Sequence, residues 1–341
     1  MNIAIASDVN YLPHAGTLIR SLCDNNRDNE LNIHILTMDS YVVKNEPLED
    51  FFRSILSNRI NIQIHLINDD NQFIKRIPTG GVILSRATYL RFLVPEIIPA
   101  DRILYLDCDM IVLDNLKPLF ETNLDNRILA VVSDLFVGPS NFKHSFSLRY
   151  FNSGMLLFNA KKWREENWLE KTINFIENKF IPMCVGQKHY GDQDIMNMLT
   201  IGNVTYVHPR YNIVNPVYLR KKFFQGKIFQ EAVNKPAIVH FAGAAKPWNN
   251  WEIHPLSKKY IFYRLQTPWK KIEPQKTTVK IVLRYIAMWF KYHFPFVIYP
   301  LSEIMRRLNG KGTRIISSEQ IENLIIETTD QNYNKNKNSL K

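Results

Sequence analysis

The sequence predicts an α/β protein with a mostly parallel central sheet, and two observations support that prediction. Short apolar runs typical of buried strands alternate with longer stretches of helical periodicity through residues 1–263. Polar residues follow several of these runs, as at Ser7, Asp107, Ser133 and His240. Open α/β sheets bind ligands beyond the carboxyl ends of their strands, so this placement predicts a binding site at that edge.

Strands are expected at the short apolar runs, and helices at the stretches whose apolar residues recur three or four positions apart. The predicted strands are Ile3–Ser7, Ile33–Met38, Ile60–Ile67, Ile103–Val112, Ile128–Ser133, Phe151–Phe158, Thr205–His208 and Ala237–Phe241. The predicted helices lie near Pro13–Cys23, Glu46–Leu56, Leu84–Leu93, Trp163–Lys179 and Asp192–Thr200. The amino terminus lacks a basic segment and reaches Asp8 too soon for a signal peptide, so we interpret it as the first strand.

The 341-residue chain has a formal net charge of +11, and the excess is concentrated in its C-terminal part. Between Arg264 and Arg314, eleven Lys and Arg residues face two acidic ones, whereas residues 1–263 carry 29 basic and 26 acidic residues. We therefore divide the chain into a main domain at 1–263, a basic extension at 264–314 and a C-terminal tail at 315–341. The Asn- and Lys-rich end of the tail, Asp330–Lys341, is expected to be disordered.

Apolar residues recur at helical spacing in the extension, at Val279, Val282, Leu283, Ile286, Trp289 and Phe290. Lys280, Arg284 and Lys291 fall on another face. This pattern is typical of a basic amphipathic helix on an anionic membrane surface; the alternative is a helix that packs on the main domain. No run approaches the ~20 apolar residues of a spanning helix. Because no nucleic-acid-binding motif is recognisable, we expect no nucleic-acid partner.

The three cysteines, Cys23, Cys108 and Cys184, have no paired spacing. This argues against a disulfide framework and against a zinc cluster, and it predicts a reducing compartment such as the cytoplasm.

Asp107 and Asp109 stand one residue apart inside an otherwise apolar run. If that run is a strand, the two carboxylates point to the same side and Cys108 points to the other. Converging carboxylates suit a hard divalent cation such as Mg²⁺ or Mn²⁺, which commonly carries phosphates. The structural alternative is a capping aspartate beside a solvated one, and the segment alone does not decide between them.

His240 ends a predicted strand and is followed by small residues, Gly243 among them, and then by Lys246. Small residues let a backbone approach a ligand closely, and a lysine ammonium presents a compact positive charge to phosphate oxygens. His240 is a candidate imidazole ligand for the metal of Asp107 and Asp109. Alone, His240 is better explained as a hydrogen-bonded histidine in a surface turn; together with Lys246 and the aspartates it favours a site.

Gly191-Asp192-Gln193-Asp194 opens a predicted helix, and Asp192 suits its N-cap. Capping does not explain Gln193, whose amide is a candidate partner for a sugar hydroxyl. Asn152 precedes an apolar strand and is either a ligand contact or a turn residue. Arg91, on another predicted helix, is available to a diphosphate or ribose, or is simply solvated.

Six segments, taken in order, resemble the motifs of glycosyltransferase family 8, and above all its bacterial lipopolysaccharide and lipooligosaccharide glucosyl- and galactosyltransferases. They are Ala6–Tyr11, Ala87–Arg91, Leu106–Asp109, Asn152–Gly154, Gly191–Asp194 and His240–Trp248. Each motif is weak by itself, whereas six in the same order are specific. The resemblance covers about residues 1–255. Ser7 stands where some relatives carry a second aspartate.

The resemblance implies a GT-A (Rossmann-like) fold, a UDP-sugar donor bound with Mn²⁺ or possibly Mg²⁺, and retention at the anomeric carbon. It implies that Asp107, Asp109 and His240 ligate the metal. The other implied contacts are Ala6, Asp8, Asn10 and Tyr11 on uracil and ribose, Arg91 on the donor, Asn152, Asp192 and Gln193 around the transferred sugar, Gly243 and Lys246 on the diphosphate, and Asp134 on the acceptor.

The implied activity moves glucose or galactose from UDP to a glycan or lipid-linked oligosaccharide acceptor, in lipopolysaccharide or cell-surface polysaccharide synthesis at the cytoplasmic face of the inner membrane. Gln193 and Asp192 are the implied catalytic residues. Because an amide is a poor nucleophile, we expect front-face attack by the acceptor hydroxyl. The sequence leaves the choice of hexose, the acceptor, the linkage and the oligomeric state open.

Two alternatives to a transferase remain at this point. A phosphohydrolase or nucleotidyltransferase could also use Asp107 and Asp109, although Met110-Ile111 stands where such a phosphatase usually has Gly-Thr. A non-catalytic protein that binds a sugar nucleotide or glycan on the same scaffold would belong to a different functional class. The complete set of predicted site residues argues against that second alternative.

Overall fold

The structure is a computed structural model of the chain. It describes residues 1–77, 86–135, 147–184, 189–219, 224–243, 246–249, 254–271, 278–294 and 316–327.

The central sheet has seven strands, and all but one of them run parallel to a neighbour. Its order is β3-β2-β1-β4-β7-β6-β8. These strands are β1 (Asn2–Ala6), β2 (Leu31–Thr37), β3 (Ile60–Leu66), β4 (Arg102–Leu106), β6 (Leu129–Val131), β7 (Met155–Asn159) and β8 (Val204–Tyr206), with β5 (Met110–Val112) outside the sheet. Only β7 is antiparallel to its neighbours β4 and β6. The predicted α/β class with a mostly parallel sheet is therefore confirmed.

The other strands of the described residues form two small sheets. They are formed by β5 with β11 (Ile238–His240) and β9 (Ile213–Val214), and by β10 (Phe224–Gln225) with β12 (Ile316–Ser317). The prediction of one strand over Ile103–Val112 is wrong, because β4 ends at Leu106 and the chain turns at Cys108 and Asp109 before β5. In β5 the chain has left the central sheet to pair antiparallel with β11. The turn therefore carries Asp109 towards His240.

The described residues form the following helices, several of which cover the two faces of the central sheet. They are α1 (Leu12–Asn25), α2 (Ser40–Val43), α3 (Glu46–Ile55), α4 (Gln72–Arg76), α5 (Leu90–Ile97), α6 (Lys117–Phe120), α7 (Ala160–Glu165), α8 (Trp168–Phe175), α9 (Ile181–Cys184), α10 (Asp192–Thr200), α11 (Asn215–Leu219), α12 (Lys227–Asn234), α13 (Ser257–Arg264) and α14 (Val279–His293). Alternate residues of β1 point to opposite faces of the central sheet: Ala4 lies in one buried cluster, and Ile3 and Ile5 lie in the other.

Two predicted helices differ from the observed ones in an informative way. The predicted helix Trp163–Lys179 is interrupted at Asn167, whose φ of 53° lies in the left-handed region, and a π-turn over Ile176–Phe180 continues α8. The segment predicted near Leu84–Leu93 begins outside the described residues and enters α5 through a 3₁₀ turn at Arg86–Tyr89. The helix predicted at Asp192–Thr200 has the same bounds in the structure.

The described residues beyond 263 contribute both to the core and to an exposed apolar surface. Ile316 and Ile321 are buried in the cluster around β9 and β11, and residues 318–327 are helical. In α14, by contrast, Val282, Leu283 and Ile286 are exposed. Within the described residues, none of the helices combines the length and the apolar character that crossing a bilayer requires. The division at residues 263 and 314 stays a prediction, and Asp330–Lys341 lies outside the described residues.

Burial of neutral histidines predicts a pH-dependent stability. Burial lowers the pKa of His14 to about 3 and of His254 to about 3, and burial together with His65 lowers that of His34 to about 4. In the unfolded chain the ordinary pKa is about 6.5, so the unfolded state binds protons first as the pH falls. The contribution of these neutral histidines to the free energy of unfolding is thus complete above about pH 6.5 and is lost as the pH falls towards 4.

We expect the free energy of unfolding to fall by up to about 1.4 kcal/mol per pH unit for each such histidine between about pH 6 and pH 4. His254→Asn should make the dependence shallower, because it removes one of these groups. Urea unfolding at a series of pH values measures it, with the exposed His293→Asn as the matched control. An equal slope in parent and His254→Asn would contradict this origin of the acid sensitivity.

Candidate active site

The predicted site residues gather at the carboxyl edge of the central sheet, around an open cleft of about 390 Å³. The residues that follow β1 and β4 line the cleft together with residues at the start of α5. They are Ala6, Ser7, Asp8, Tyr11, Ala87, Thr88, Arg91, Tyr105, Asp107, Cys108 and Asp109. This is the edge at which parallel α/β sheets bind ligands, as the sequence predicted.

Asp107, Asp109 and His240 form a cluster that could hold a metal ion. One ligand atom from each lies within 4.8 Å of the others. His240 Nε2 is 3.2 Å from Asp109 Oδ1, and both side chains are buried. Burial alone would raise the pKa of Asp109, but His240 and Lys246 hold it well below its usual value. Two carboxyl groups and one imidazole are a donor set that suits Mn²⁺ or Mg²⁺.

Gly154 makes this convergence possible. A Cβ atom at residue 154 would lie 2.5 Å from His240 Cε1 and 2.8 Å from Asp107 Oδ2. Both distances are shorter than the contacts that Cβ atoms make in proteins. The antiparallel strand β7 begins directly after Gly154, whose carbonyl accepts a hydrogen bond from the Asp107 amide at 2.9 Å. The sequence showed Gly154 only as part of a motif, because the close contact joins three distant segments.

Asp107 is held by Arg91, to which the sequence assigned a different function, and by Tyr105, which sequence reasoning missed. Tyr105 Oη donates a hydrogen bond to Asp107 Oδ1 at 2.7 Å, and Arg91 Nη2 lies 3.1 Å from the same oxygen. Arg91 is 5% exposed and also forms an ion pair with Asp192 at 3.1 Å. Arg91 is therefore not a solvated helix residue: it joins the metal cluster to the start of α10. Tyr105 was missed because it looked like part of an apolar strand.

Asp192 begins α10 but does not cap it. The N-cap is Gly191, with a φ of 56°, and the Asp192 carboxylate instead meets Arg91 and accepts a hydrogen bond from Ser153 Oγ at 3.2 Å. The predicted N-cap function is therefore wrong, because the buried Arg91 offers that carboxylate a charged partner. Burial raises the pKa of Asp192, although Arg91 opposes the shift.

The Gln193 amide is hydrogen-bonded at both ends. Its Oε1 accepts from Asn152 Nδ2 at 3.0 Å and from the Ser153 amide at 3.1 Å, and its Nε2 donates to Asp134 Oδ2 at 3.0 Å. Nε2 also lies 3.3 Å from Tyr150 Oη. The structure thus brings Asn152, Gln193 and Asp134 together as one polar group beside the metal cluster.

The residues predicted to hold uracil and ribose lie where β1 leads into α1. Asp8 Oδ1 accepts a hydrogen bond from the Tyr11 amide at 2.9 Å, which fixes the turn. The Tyr11 ring is 42% exposed and lies edge-on to His14 and to Trp248. Ala6 lines the cleft, whereas Asn10 lies exposed in the turn beside it. This arrangement offers a planar base an aromatic surface.

Lys246 reaches the metal cluster from the segment after β11. Its ammonium contacts Asp109 and donates to the Phe241 carbonyl oxygen at 2.9 Å. Two residues later, Trp248 stacks on His14 with ring centroids 3.5 Å apart, so the segment is anchored to α1. Gly243 is exposed with a φ of 82°, a backbone conformation that glycine adopts easily. The intervening residues 244–245 lie outside the described part of the chain.

A comparison with known families agrees with this geometry. The family model for glycosyl transferase family 8 matches residues 2–252.

The chain belongs to glycosyltransferase family 8.

Two curated relatives match the chain over most of their lengths. The lipopolysaccharide 1,2-glucosyltransferase of Escherichia coli (strain K12) is 29% identical over 310 residues, which cover 86% of this chain and 87% of the relative. The lipopolysaccharide 1,3-galactosyltransferase of Salmonella typhimurium is 27% identical over 329 residues, or 90% and 91% of the two chains. Family 8 membership confirms the resemblance that the six motifs indicated.

Solved structures confirm the GT-A fold. The galactosyltransferase LgtC, in complex with donor and acceptor sugar analogs, has a TM-score of 0.63 and 25% identity over 84% of this chain and all of LgtC. An active-site mutant of LgtC, in which a glutamine is replaced with glutamate, has a TM-score of 0.65 and 26% identity over 78% of this chain and 96% of that one. This family 8 chain is therefore a glycosyltransferase, and the roles of its individual site residues stay predictions.

Gly154→Ala is expected to lower the affinity for Mn²⁺ at least about tenfold, because the added Cβ displaces His240 and Asp107 and metal sites depend strongly on ligand placement. Isothermal titration with Mn²⁺ measures the change. Gly202→Ala is the control: its Cβ meets nothing within 4 Å, but its φ of 75° costs about 1 kcal/mol of stability. If both variants keep the parent's Mn²⁺ affinity, Gly154 is not needed for the cluster.

Proposed function

We propose that this glycosyltransferase is a retaining, UDP-sugar- and metal-dependent hexosyltransferase of lipopolysaccharide or cell-surface polysaccharide synthesis. The observation that carries the proposal is the cluster of Asp107, Asp109 and His240, with Lys246 beside it, at a cleft that is also lined by Tyr11. Relatives named as glucosyl- and galactosyltransferases of lipopolysaccharide support glucose or galactose as the transferred sugar.

Asp107, Asp109 and His240 would hold Mn²⁺, or Mg²⁺, through two carboxylates and an imidazole nitrogen. When bound, such an ion supplies a Lewis acid for the oxygens of the departing diphosphate. Lys246 adds a fixed positive charge at the same place, where negative charge develops as the sugar leaves. Its contact with the Phe241 carbonyl holds the ammonium near the cluster.

The nucleoside end of the donor would lie on the turn between β1 and α1. Tyr11 presents its exposed ring to the uracil, while Ala6, Asp8 and Asn10 lie beside it for ribose and base contacts. At the other end Asn152, Asp192 and Gln193 would surround the sugar, and the buried Asp134 would face the acceptor. Gly243 would meet the diphosphate.

Retention of configuration is expected to proceed by front-face attack. Gln193 Oε1 accepts two N–H donors and belongs to an amide, which is a poor nucleophile for an oxocarbenium-like sugar. The Asp192 carboxylate is engaged through Oδ2 with Arg91 and Ser153. The acceptor oxygen would form its bond on the face from which UDP departs, and its proton would pass to the departing phosphate oxygen. A glycosyl-enzyme trapped on Asp192 would contradict this mechanism.

Asp109→Asn is expected to reduce metal-dependent UDP release from the preferred donor by at least about 100-fold, equivalent to ~2.7 kcal/mol, because it removes one metal ligand. UDP release from UDP-glucose and from UDP-galactose, each with Mn²⁺ and with EDTA, measures the effect and names the sugar. Asp101→Asn, at the opposite end of β4 with an 80% exposed side chain, is the matched control.

The proposal fails if the parent releases no UDP from either donor with Mn²⁺. UDP binding that Asp109→Asn abolishes, without turnover by the parent, would instead indicate a non-catalytic sugar-nucleotide-binding protein on the same scaffold.

We further propose that α14 lies on the cytoplasmic face of the inner membrane, where a lipid-linked oligosaccharide acceptor is found. Leu283, Ile286 and Phe290 are exposed along this helix at spacings of three and four residues, and Val282 is exposed next to Leu283. The helix sequence also carries basic residues, which an anionic leaflet attracts. An exposed apolar stripe on a basic helix is typical of interfacial binding.

Leu283→Ser combined with Phe290→Ser is expected to weaken binding to vesicles that contain phosphatidylglycerol by at least about tenfold, or ~1.4 kcal/mol, because two exposed apolar side chains are lost. Cosedimentation measures binding. The control is Leu56→Ser with Leu66→Ser, two exposed leucines of the main domain. Equal binding of all three proteins, or no binding by the parent, would favour packing of α14 on the protein instead.

A further inference from the structure

Asn212 lies between the metal cluster and the Gln193 amide, and no sequence motif singled it out. It stands between a 3₁₀ turn at Pro209–Tyr211 and β9, whose Val214 pairs with His240 of β11. The Asn212 side chain is 3% exposed and lies within hydrogen-bond distance of both His240 and Asn152.

We propose that Asn212 is a positioning residue that sets the tautomer of His240 and, through Asn152, the orientation of the Gln193 amide. The inference rests on the proposed metal-dependent function and adds to it a physical connection between the metal ligand and the sugar-binding amide.

Two backbone amides determine which atom of each side-chain amide is the oxygen. The Gly154 amide donates to Asn152 Oδ1 at 3.0 Å, and the Ser153 amide donates to Gln193 Oε1 at 3.1 Å. Because a backbone N–H can only donate, both acceptors must be oxygens. Asn152 Nδ2 then faces Gln193 Oε1, at 3.0 Å, as a donor. The orientations of Asn152 and Gln193 are thus consistent with each other.

The same reasoning extends to His240. Asn212 Nδ2 lies 2.9 Å from Asn152 Oδ1, so the Asn212 atom that faces it must be the nitrogen. Asn212 Oδ1 consequently lies 3.0 Å from His240 Nδ1, which must carry a proton in order to donate. Nδ1 is thus committed to Asn212, which leaves Nε2, 3.2 Å from Asp109 Oδ1, as the ring nitrogen available to a metal. Metal-binding histidines characteristically donate their other N–H to such a partner.

The hydrogen bonds run in one direction from His240 through Asn212, Asn152 and Gln193 to the carboxylate of Asp134. Reversal of any one amide would place two oxygens or two N–H groups against each other. All five side chains are mostly buried, so water offers little compensation for a lost hydrogen bond. A change at Asn212 should therefore be felt both at the metal ligand and at the sugar.

Two substitutions separate these effects. Asn212→Ala removes both hydrogen bonds, and we expect it to lower the Mn²⁺ affinity about 10- to 100-fold, the usual range for partners of metal ligands. Asn212→Asp keeps an oxygen towards His240 but places another against Asn152 Oδ1. We expect it to retain the Mn²⁺ affinity within about threefold while kcat falls at least about tenfold at saturating Mn²⁺. A merely structural role would not separate affinity from kcat.

Asn26→Asp is the matched control for placing a carboxylate at a buried asparagine. Asn26 is 2% exposed, its Nδ2 donates to the Leu22 carbonyl, and its Oδ1 accepts from the Leu116 amide. This variant should lose thermal stability without a change in Mn²⁺ affinity or kcat. If Asn212→Ala binds Mn²⁺ as the parent does, or Asn212→Asp keeps the parent's kcat, the positioning role is wrong.

The His240 tautomer gives a readout that needs neither metal nor turnover. Long-range ¹H–¹⁵N correlation spectra of the metal-free, ¹⁵N-histidine-labelled protein should show His240 protonated at Nδ1, with His240→Gln used to assign the signal. Asn212→Ala should shift the ring towards protonation at Nε2. A parent ring that carries a proton on Nε2 but none on Nδ1 would overturn the inference even if the enzyme is active. An Nδ1–H tautomer in a parent without Mn²⁺ affinity would overturn the proposed metal dependence and leave the positioning of His240 supported.

Discussion

The active site depends on the burial of negative charge at the carboxyl edge of the central sheet. Asp109 and Asp192 are both largely removed from water, and Asp107 lies close to each. Buried carboxylates without partners are costly, so each must meet a cation or several hydrogen-bond donors. Arg91 supplies the cation between Asp107 and Asp192, and Lys246 supplies it at Asp109. The positions of both basic residues follow from this requirement.

The topology brings these charges together from distant parts of the chain. A turn after β4 directs the chain out of the central sheet, and the pairing of β5 with β11 then sets Asp109 beside His240. The antiparallel strand β7 starts at the same edge, where Gly154 leaves room for the side chains of Asp107 and His240. The turn between β4 and β5 therefore helps to form the site, because a strand that continued straight on from β4 would carry Asp109 past His240.

The polar side chains of the site form two neighbouring groups, one charged and one made mainly of neutral amides. The charged part contains the ligand cluster, while the neutral part consists of amides that end at Asp134. Asn152 belongs to both, since its oxygen accepts from Asn212 beside His240 and its nitrogen donates to Gln193. Side-chain amides suit this position because they offer a donor and an acceptor without adding charge to a region already crowded with carboxylates.

The sequence by itself determined the α/β class, the family, the pair Asp107 and Asp109, and the bounds of α10, because these depend on local patterns of apolar, polar and helix-forming residues. Tertiary structure alone decided that the run at 103–112 is two strands and that Arg91 is buried. It also placed Gly154 and Asn212 against the site residues. Their partners lie far away along the chain, and neither a close Cβ contact nor the direction of a hydrogen bond leaves a periodic signal in the sequence.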